Sequence, residues 1–200
     1  MRVLHSLRAR VAASLAGIGS LLAAASVAIY GAYGKLNRAS EPVYGGDASI
    51  QTGQWQVVPR RAWTASAPKV YGVPLKPGAT ALVVEADLTN RTAESSADYL
   101  GLLRWNAPLA AAAGKPMVVG LRDSQQMPYL QPGLPERMAF VWMLAPAAAA
   151  AAPARTALAV QSKIYKPVDN LYGAPGWFNP ANVGRIELPI TRDGAPESAP

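Results

Sequence analysis

Past residue 53 the apolar positions fall into short runs with a period of two, separated by proline and glycine, which is the pattern of strands and turns. The clearest run is ALVVEADLT, residues 81–89. Leu82, Val84, Ala86 and Leu88 share one face, and Val83, Glu85, Asp87 and Thr89 share the other. This alternation predicts a strand with one face on a core and one in water, as in an antiparallel sheet. Six further runs read as strands, at 55–61, 99–105, 117–121, 137–144, 157–164 and 183–190. The run RMAFVWML is apolar on both faces and is expected to be central or covered. The 18 prolines and 17 glycines sit mostly between the runs, where a missing donor or a positive φ does least harm. Residues 147–152, an alanine run between Pro146 and Pro153, are too short for more than a fragment of helix and read as an inter-strand loop. The expectation is an all-β, antiparallel sandwich of about seven strands over residues 54–191.

A different pattern precedes it. Residues 11–34 carry no charge, and 24 residues at about 1.5 Å each exceed the roughly 30 Å hydrocarbon core of a bilayer. With the basic residues 1–10 before it, Tyr30 and Tyr33 at its end, and Lys35 and Arg38 beyond, the stretch reads as a transmembrane signal anchor. The charge bias puts the N-terminus in the cytoplasm and the sandwich outside. The alternative is a cleaved signal peptide, with Ala23-Ala24-Ala25 as the cleavage site and a secreted product. Residues 35–53 read as a polar linker and 192–200 as a disordered tail. Within the anchor, Ala12, Ala16, Ser20, Ala24, Ala28 and Ala32 recur every four residues, a small-residue ridge on which a second copy or another membrane protein could pack. Alanine abundance throughout the chain produces such ridges without selection for packing.

Charge narrows the list of partners. The formal net charge is +7, but five basic residues flank the anchor, and from residue 39 onward 14 Lys/Arg face 12 Asp/Glu. The basicity belongs to the membrane flanks, so no nucleic-acid partner is expected. Cysteine is absent, which excludes disulfides, thiolate ligands and a cysteine nucleophile. The one histidine, His5, lies in the N-terminal decapeptide, so the sandwich holds no Ser-His-Asp triad and no histidine metal site. No cofactor motif is present, and neither a cofactor nor a resident metal is expected.

The remaining candidates are few. Glu85 and Asp87 point the same way from one strand, as a carboxylate hydrolase or a cation site needs, and as solvent-facing charges also do. Asp169 and Asn170 precede a turn-rich stretch but lack calcium-loop spacing. Tyr165, Tyr172, Trp177 and Phe178 lie among glycines and prolines in YKPVDNLYGAPGWFNP and would present rigid aromatic surface to a protein or glycan, or fold back over one end of the sandwich. Trp55, Trp63, Trp105 and Trp142 are expected in the core, as are Met117, Met127, Met138 and Met143, which have no histidine or cysteine to complete a copper site. Arg60 and Arg61, adjacent on a strand, should point to opposite faces. Asn90-Arg91-Thr92 has the form of a glycosylation sequon and reads as a strand-end turn.

Three stretches, GQWQVVPRRAW, ALVVEADLTNRT and LQPGLPERMAFVWML, following an anchor and a linker, carry a resemblance. Over residues 53–190 the chain resembles the small immunoglobulin-like β-sandwiches exported by bacteria, of the immunoprotective-extracellular-protein type. It departs from antibody domains in having no cysteine pair. The resemblance implies an immunoglobulin-like fold and an envelope location, and brings no catalytic residue with it. The reading is a non-enzymatic, membrane-anchored periplasmic or envelope protein whose sandwich is a binding or accessory module. The alternatives are a single-pass subunit of a multiprotein membrane complex such as a transporter, held by the helix ridge, and an envelope hydrolase working through carboxylates.

Overall fold

The structure, a computed structural model, describes residues 26, 41–105, 113–171 and 173–192. The chain divides into two compact units, Met1–Glu41 and Pro42–Pro200. The expected anchor and its ridge, Ala12, Ala16, Ser20, Ala24, Ala28 and Ala32, lie outside the described residues. Among the described residues no helix is long and apolar enough to cross a membrane. The second unit is a β-sandwich.

Its larger sheet runs β12 (Ile190–Arg192), β3 (Trp55–Ala65), β6 (Thr80–Asn90), β9 (Pro135–Leu144), β8 (Met117–Gly120), with β2 (Ile50–Gln51) also on β3. The smaller runs β1 (Val43–Tyr44), β11 (Gly176–Ile186), β10 (Leu158–Lys166), β7 (Leu103–Trp105). A separate hairpin joins β4 (Lys69–Val70) to β5 (Val73–Pro74), and one short helix, α1 (Pro146–Ala150), follows β9. Most pairings are antiparallel, but β1 joins β11 and β12 joins β3 in parallel. The expected strands are present with shifted ends. The last splits into the end of β11 and β12, and residues 99–102 form turns before β7. Residues 42–53 are not only linker: they supply β1, β2 and the fully buried Ile50. At the other end Arg192 closes β12, and residues 193–200 lie outside the described residues.

Between the sheets, alternate residues of β6 (Leu82, Val84, Ala86, Leu88) meet those of β9 (Met138, Phe140, Trp142, Leu144) and Leu103, Trp105, Leu158, Val160 and Ile186 of the smaller sheet. Trp105 meets Trp142 edge-on at 5.5 Å, and Trp55 meets Tyr99 the same way at 5.5 Å. Such contacts add about 0.5–1.5 kcal/mol each beyond burial. All four expected core tryptophans are buried. Of the methionines expected in the core, Met138 lies between the sheets and Met117 is half-buried against the outer cluster, whereas Met127, in a turn at positive φ, and Met143, near the end of β9, are each 37% exposed.

The outer face of β6 overturns an expectation. It does not face water: residues 66–79 fold over it, and Val70 and Val73 of the hairpin pack with Trp63, Ala81, Val83, Ala139 and Val141 as a second core. The hairpin turns at Tyr71 and Gly72, both at positive φ (49° and 76°), as the two central residues of a type I′ turn must be. Arg60 and Arg61 supply the second correction. The β3–β6 register shifts between Pro59 and Arg61, a β-bulge that places the two adjacent arginines on the same outer face. Arg60 reaches Asp87 (2.6 Å) and Arg61 reaches Glu85 (2.9 Å).

Candidate functional site

Two places in the fold concentrate polar chemistry. The first is the outer face of the larger sheet, where the bulge aligns arginines with carboxylates. Glu85 is 2% exposed, and its Oε1 accepts hydrogen bonds from Arg61 (2.9 Å), the Trp63 indole (2.9 Å) and the Tyr71 hydroxyl (2.7 Å). Burial alone would raise its pKa, but the hydrogen bonds from Arg61, Tyr71 and Trp63 outweigh burial and hold it below the ordinary value. Burial likewise opposes ionisation of Asp87, and Arg137 and Arg60 overcome it. Asp47 joins the same chain of charges through Arg60. Tyr71 is pushed well up, first by burial and then by Glu85. The consequence is chemical. A general acid needs a carboxyl that keeps its proton near neutrality, and this arrangement does the reverse to both residues. Among the described residues no three acidic or histidine side chains converge as a metal site. What the cluster does is fasten the hairpin, through Tyr71, onto the sheet.

The second place is the end of the sandwich where β10 and β11 run past the core as a two-stranded arm. The near half of the arm is buried (Leu158, Ala159, Val160, Ile186), while Ile164, Tyr165, Val168 and Leu171 in its far half and tip are exposed. Tyr165 and Trp177 are cross-strand partners, and their rings lie 5.4 Å apart at 60°. Ile164 pairs with Phe178, so by strand alternation Phe178 lies on the other face, folded against Gly176. Tyr172 lies outside the described residues. Asp169 accepts from the Leu171 amide (3.1 Å) and closes the tip as a turn.

The arm is seated on the strand-entry turn before β3. Lys163 donates its amide to the Thr52 carbonyl (3.1 Å), and its ammonium pairs with Asp98. Gly53, at φ 80°, permits the approach: a Cβ there would lie 2.6 Å from the Lys163 carbonyl oxygen and 3.4 Å from the Trp177 ring. Across from the arm, the Asn90-Arg91-Thr92 turn is built around a fully buried amide. Asn90 Nδ2 donates to the Glu94 and Leu130 carbonyls, and Asn90 Oδ1 accepts from the Thr92 amide and hydroxyl. That burial removes the amide from any modifying enzyme and makes the turn rigid.

Between arm and turn lies a groove of about 590 Å³, lined by Gln54, residues 91–96, Tyr165, Pro175, Gly176 and Trp177. Its volume falls in the roughly 300–1,000 Å³ range of small-molecule sites. Gln54 is 4% exposed and its side-chain oxygen has no hydrogen-bond partner among the described residues. Buried polar atoms are ordinarily satisfied, and an unmet acceptor costs about 1–3 kcal/mol. The structure thus brings together Tyr165 and Trp177 of the sequence candidates and leaves Phe178 apart. It adds Gln54, Arg91, Thr92, Glu94, Ser95 and Ser96, for which the sequence signal was only a turn motif and a Gly-Gln pair.

No known family model matches the chain, and no curated protein matches it. Among solved structures it is similar to an uncharacterized β-sandwich protein from Clostridium difficile 630, at 6% identity, over 76% of this chain and 97% of that one, with a TM-score of 0.46.

Proposed function

We propose that the chain is a non-enzymatic, membrane-anchored protein of a bacterial envelope, with an immunoglobulin-like β-sandwich outside the cytoplasm that serves as a binding module, and that the groove beside the β10–β11 arm is its binding surface. The observation that carries this reading is the exposure of Tyr165, at 53%, on a groove also lined by Gln54, whose buried oxygen has no partner among the described residues. Burying a large apolar side chain contributes about 1.5–3 kcal/mol, and satisfying the glutamine would add to that. A chain optimised for stability alone would collapse this end; a partner that covers the ring and donates to Gln54 recovers both terms on binding. The hydrolase reading is disfavoured by the engagement of Glu85 and Asp87 with arginines. The uncharged residues 11–34 support attachment to a membrane.

The test uses the full chain in cells. A photo-crosslinking amino acid is placed at Ser95 in the groove, at Arg122 on a different loop, and at Ala16 in the apolar stretch, and membranes are separated from soluble material. The expected result is membrane retention and adducts from Ser95 that Arg122 does not give. Adducts from Ala16 with none from Ser95 would favour the membrane-complex subunit instead. A wholly soluble protein without groove adducts would refute the proposal.

A further inference from the structure

We infer that the groove takes a neutral, β-linked pyranose oligosaccharide; this rests on the reading of the groove as the binding surface. The argument is one of matching chemistry. Tyr165 and Trp177 offer two aromatic rings tilted at 60° to one another, on a strand pair whose backbone is held by Gly53 and the Lys163–Asp98 ion pair. The C–H bonds of a pyranose gather on its flat faces, and a positively polarised C–H surface lies well on the negative face of a ring. In the facing wall the Thr92 hydroxyl is spent within its own turn, but Ser95, which donates to Gln131, keeps acceptor capacity, and Ser96, which accepts from the Asp98 amide, keeps its proton to donate, so the pair offers one acceptor and one donor to the hydroxyl-rich rim of a sugar. Gln54 lines the same groove with its oxygen buried and without a donor, and a turn of that side chain toward the opening lets a sugar hydroxyl or acetamido N–H supply one.

Charge and backbone weigh against other ligands. Arg91 and Glu94 stand in the same wall and offset one another, so the groove selects neither phosphate nor a polycation. A peptide would add most simply to the far half of β11, beyond the two residues paired with β1, but that stretch carries Pro180, which has no amide hydrogen, and Asn179 at φ 53°, which breaks the extended line. β-1,4-Linked oligosaccharides of this kind are extended ribbons with flat faces, and an open groove with one aromatic wall and one hydroxyl wall accommodates a ribbon.

The experiment titrates the full chain, in a polyoxyethylene detergent with no sugar headgroup, with tetra-N-acetylchitotetraose and with cellotetraose, following heat and tryptophan emission. At least one should bind with a dissociation constant of about 1 mM or tighter. Trp177→Ala should weaken that binding tenfold or more. Gln54→Met should weaken it several-fold while raising the melting temperature, because it removes an unmet acceptor from the free protein; a purely structural glutamine would lower the melting temperature. Binding that both variants leave unchanged would overturn the inference. So would failure of both probes to bind, and groove adducts at Ser95 in cells would then show that the binding-module reading survives with a different ligand. Loss of both signals would overturn both readings.

Discussion

Replacing Glu85 with alanine tests the account of how the outer face is closed. Three donors converge on one carboxylate oxygen: Arg61, Trp63 and Tyr71. The Arg61 side chain is 51% exposed and can turn to water, so its share is the roughly 0–1 kcal/mol of a surface pair. Trp63 and Tyr71 cannot follow. Trp63 is 1% exposed and Tyr71 is packed edge-on against it at 5.9 Å. Each orphaned donor costs about 1–3 kcal/mol, and the one lost methylene adds about 0.8 kcal/mol. The sum is about 3–8 kcal/mol, or a fall in Tm of roughly 6–32 °C at about 2–4 °C per kcal/mol for a domain of this size. Glu85→Gln keeps an oxygen for the two buried donors and gives up only the charge, so its loss should be about 1–2 kcal/mol. Thermal melts of the full chain at neutral pH, with Tyr71→Phe alone and combined with each variant, separate the terms. Tyr71→Phe should be costly in the native background and nearly free in Glu85→Ala. Equal losses for Ala and Gln, or a shift below about 2 °C for Ala, would show that the acceptor is not what holds the hairpin.

Acid should act on the same cluster. Glu85 and Asp87 are both held below their ordinary values of 4.5 and 3.8, so the unfolded chain binds protons first; their contribution is complete above about pH 4.5 and is lost as pH falls through the folded values. Tm measured from pH 7 downward should be level to about 4.5 and then decline, with a shallower decline in Glu85→Gln; a flat profile to pH 2 would contradict it. Gly184→Ala would put a Cβ 2.4 Å from the Tyr44 ring and 2.7 Å from the Pro42 carbonyl oxygen, so β1 should detach. Overpacking of this kind costs about 1–3 kcal/mol, and hydrogen exchange at Arg185 and Glu187, whose amides donate to Pro42 and Tyr44, should accelerate selectively. Gly53→Ala should unseat the arm in the same way, with faster exchange at the Lys163 amide and weaker saccharide binding while the tryptophan core stays intact.

What the sequence made legible is what depends on period. β6 and β9 were readable because alternate residues of each enter one core, and the two-sided apolar run of β9 does lie between β6 and β8. The outer face of β6 misled because its cover comes from KVYGVP, a turn with tyrosine where asparagine or glycine is usual. That turn is held by a bond to Glu85, and a long-range contact leaves no local mark. The arginine pair misled for a related reason: alternation holds only while the ladder is regular, and the bulge beside Pro59 breaks it. Residues 42–53 looked like linker because two-residue strands show no period at all. At the candidate site, Tyr165 and Trp177 stood out as aromatics in a loop. Gln54 did not, since nothing in a sequence shows that a glutamine will be buried without a partner.

These features divide the sandwich between two tasks. The larger sheet is fastened on both faces, by the tryptophan core within and by the hairpin and its charge cluster without, so its strands should exchange amide hydrogens only on global unfolding. The arm is held differently. Beyond Val160 it buries little, while each ordered residue still costs about 1–2 kcal/mol of backbone entropy. Its order depends on its own cross-strand pairing and on a few attachments along one side, where Lys163 and Trp177 meet residues 52–53, Lys163 pairs with Asp98 and the Gln161 amide donates to Leu102. A ligand that bridges Trp177 to the rigid 91–96 turn adds an attachment from the opposite side, so occupancy should slow exchange along the far half of β10 and β11 and leave β6 and β9 unchanged. Protection that spread evenly over both sheets would mean that the arm is as firmly held as the core, and that its exposed rings are not free to be organised by what they bind.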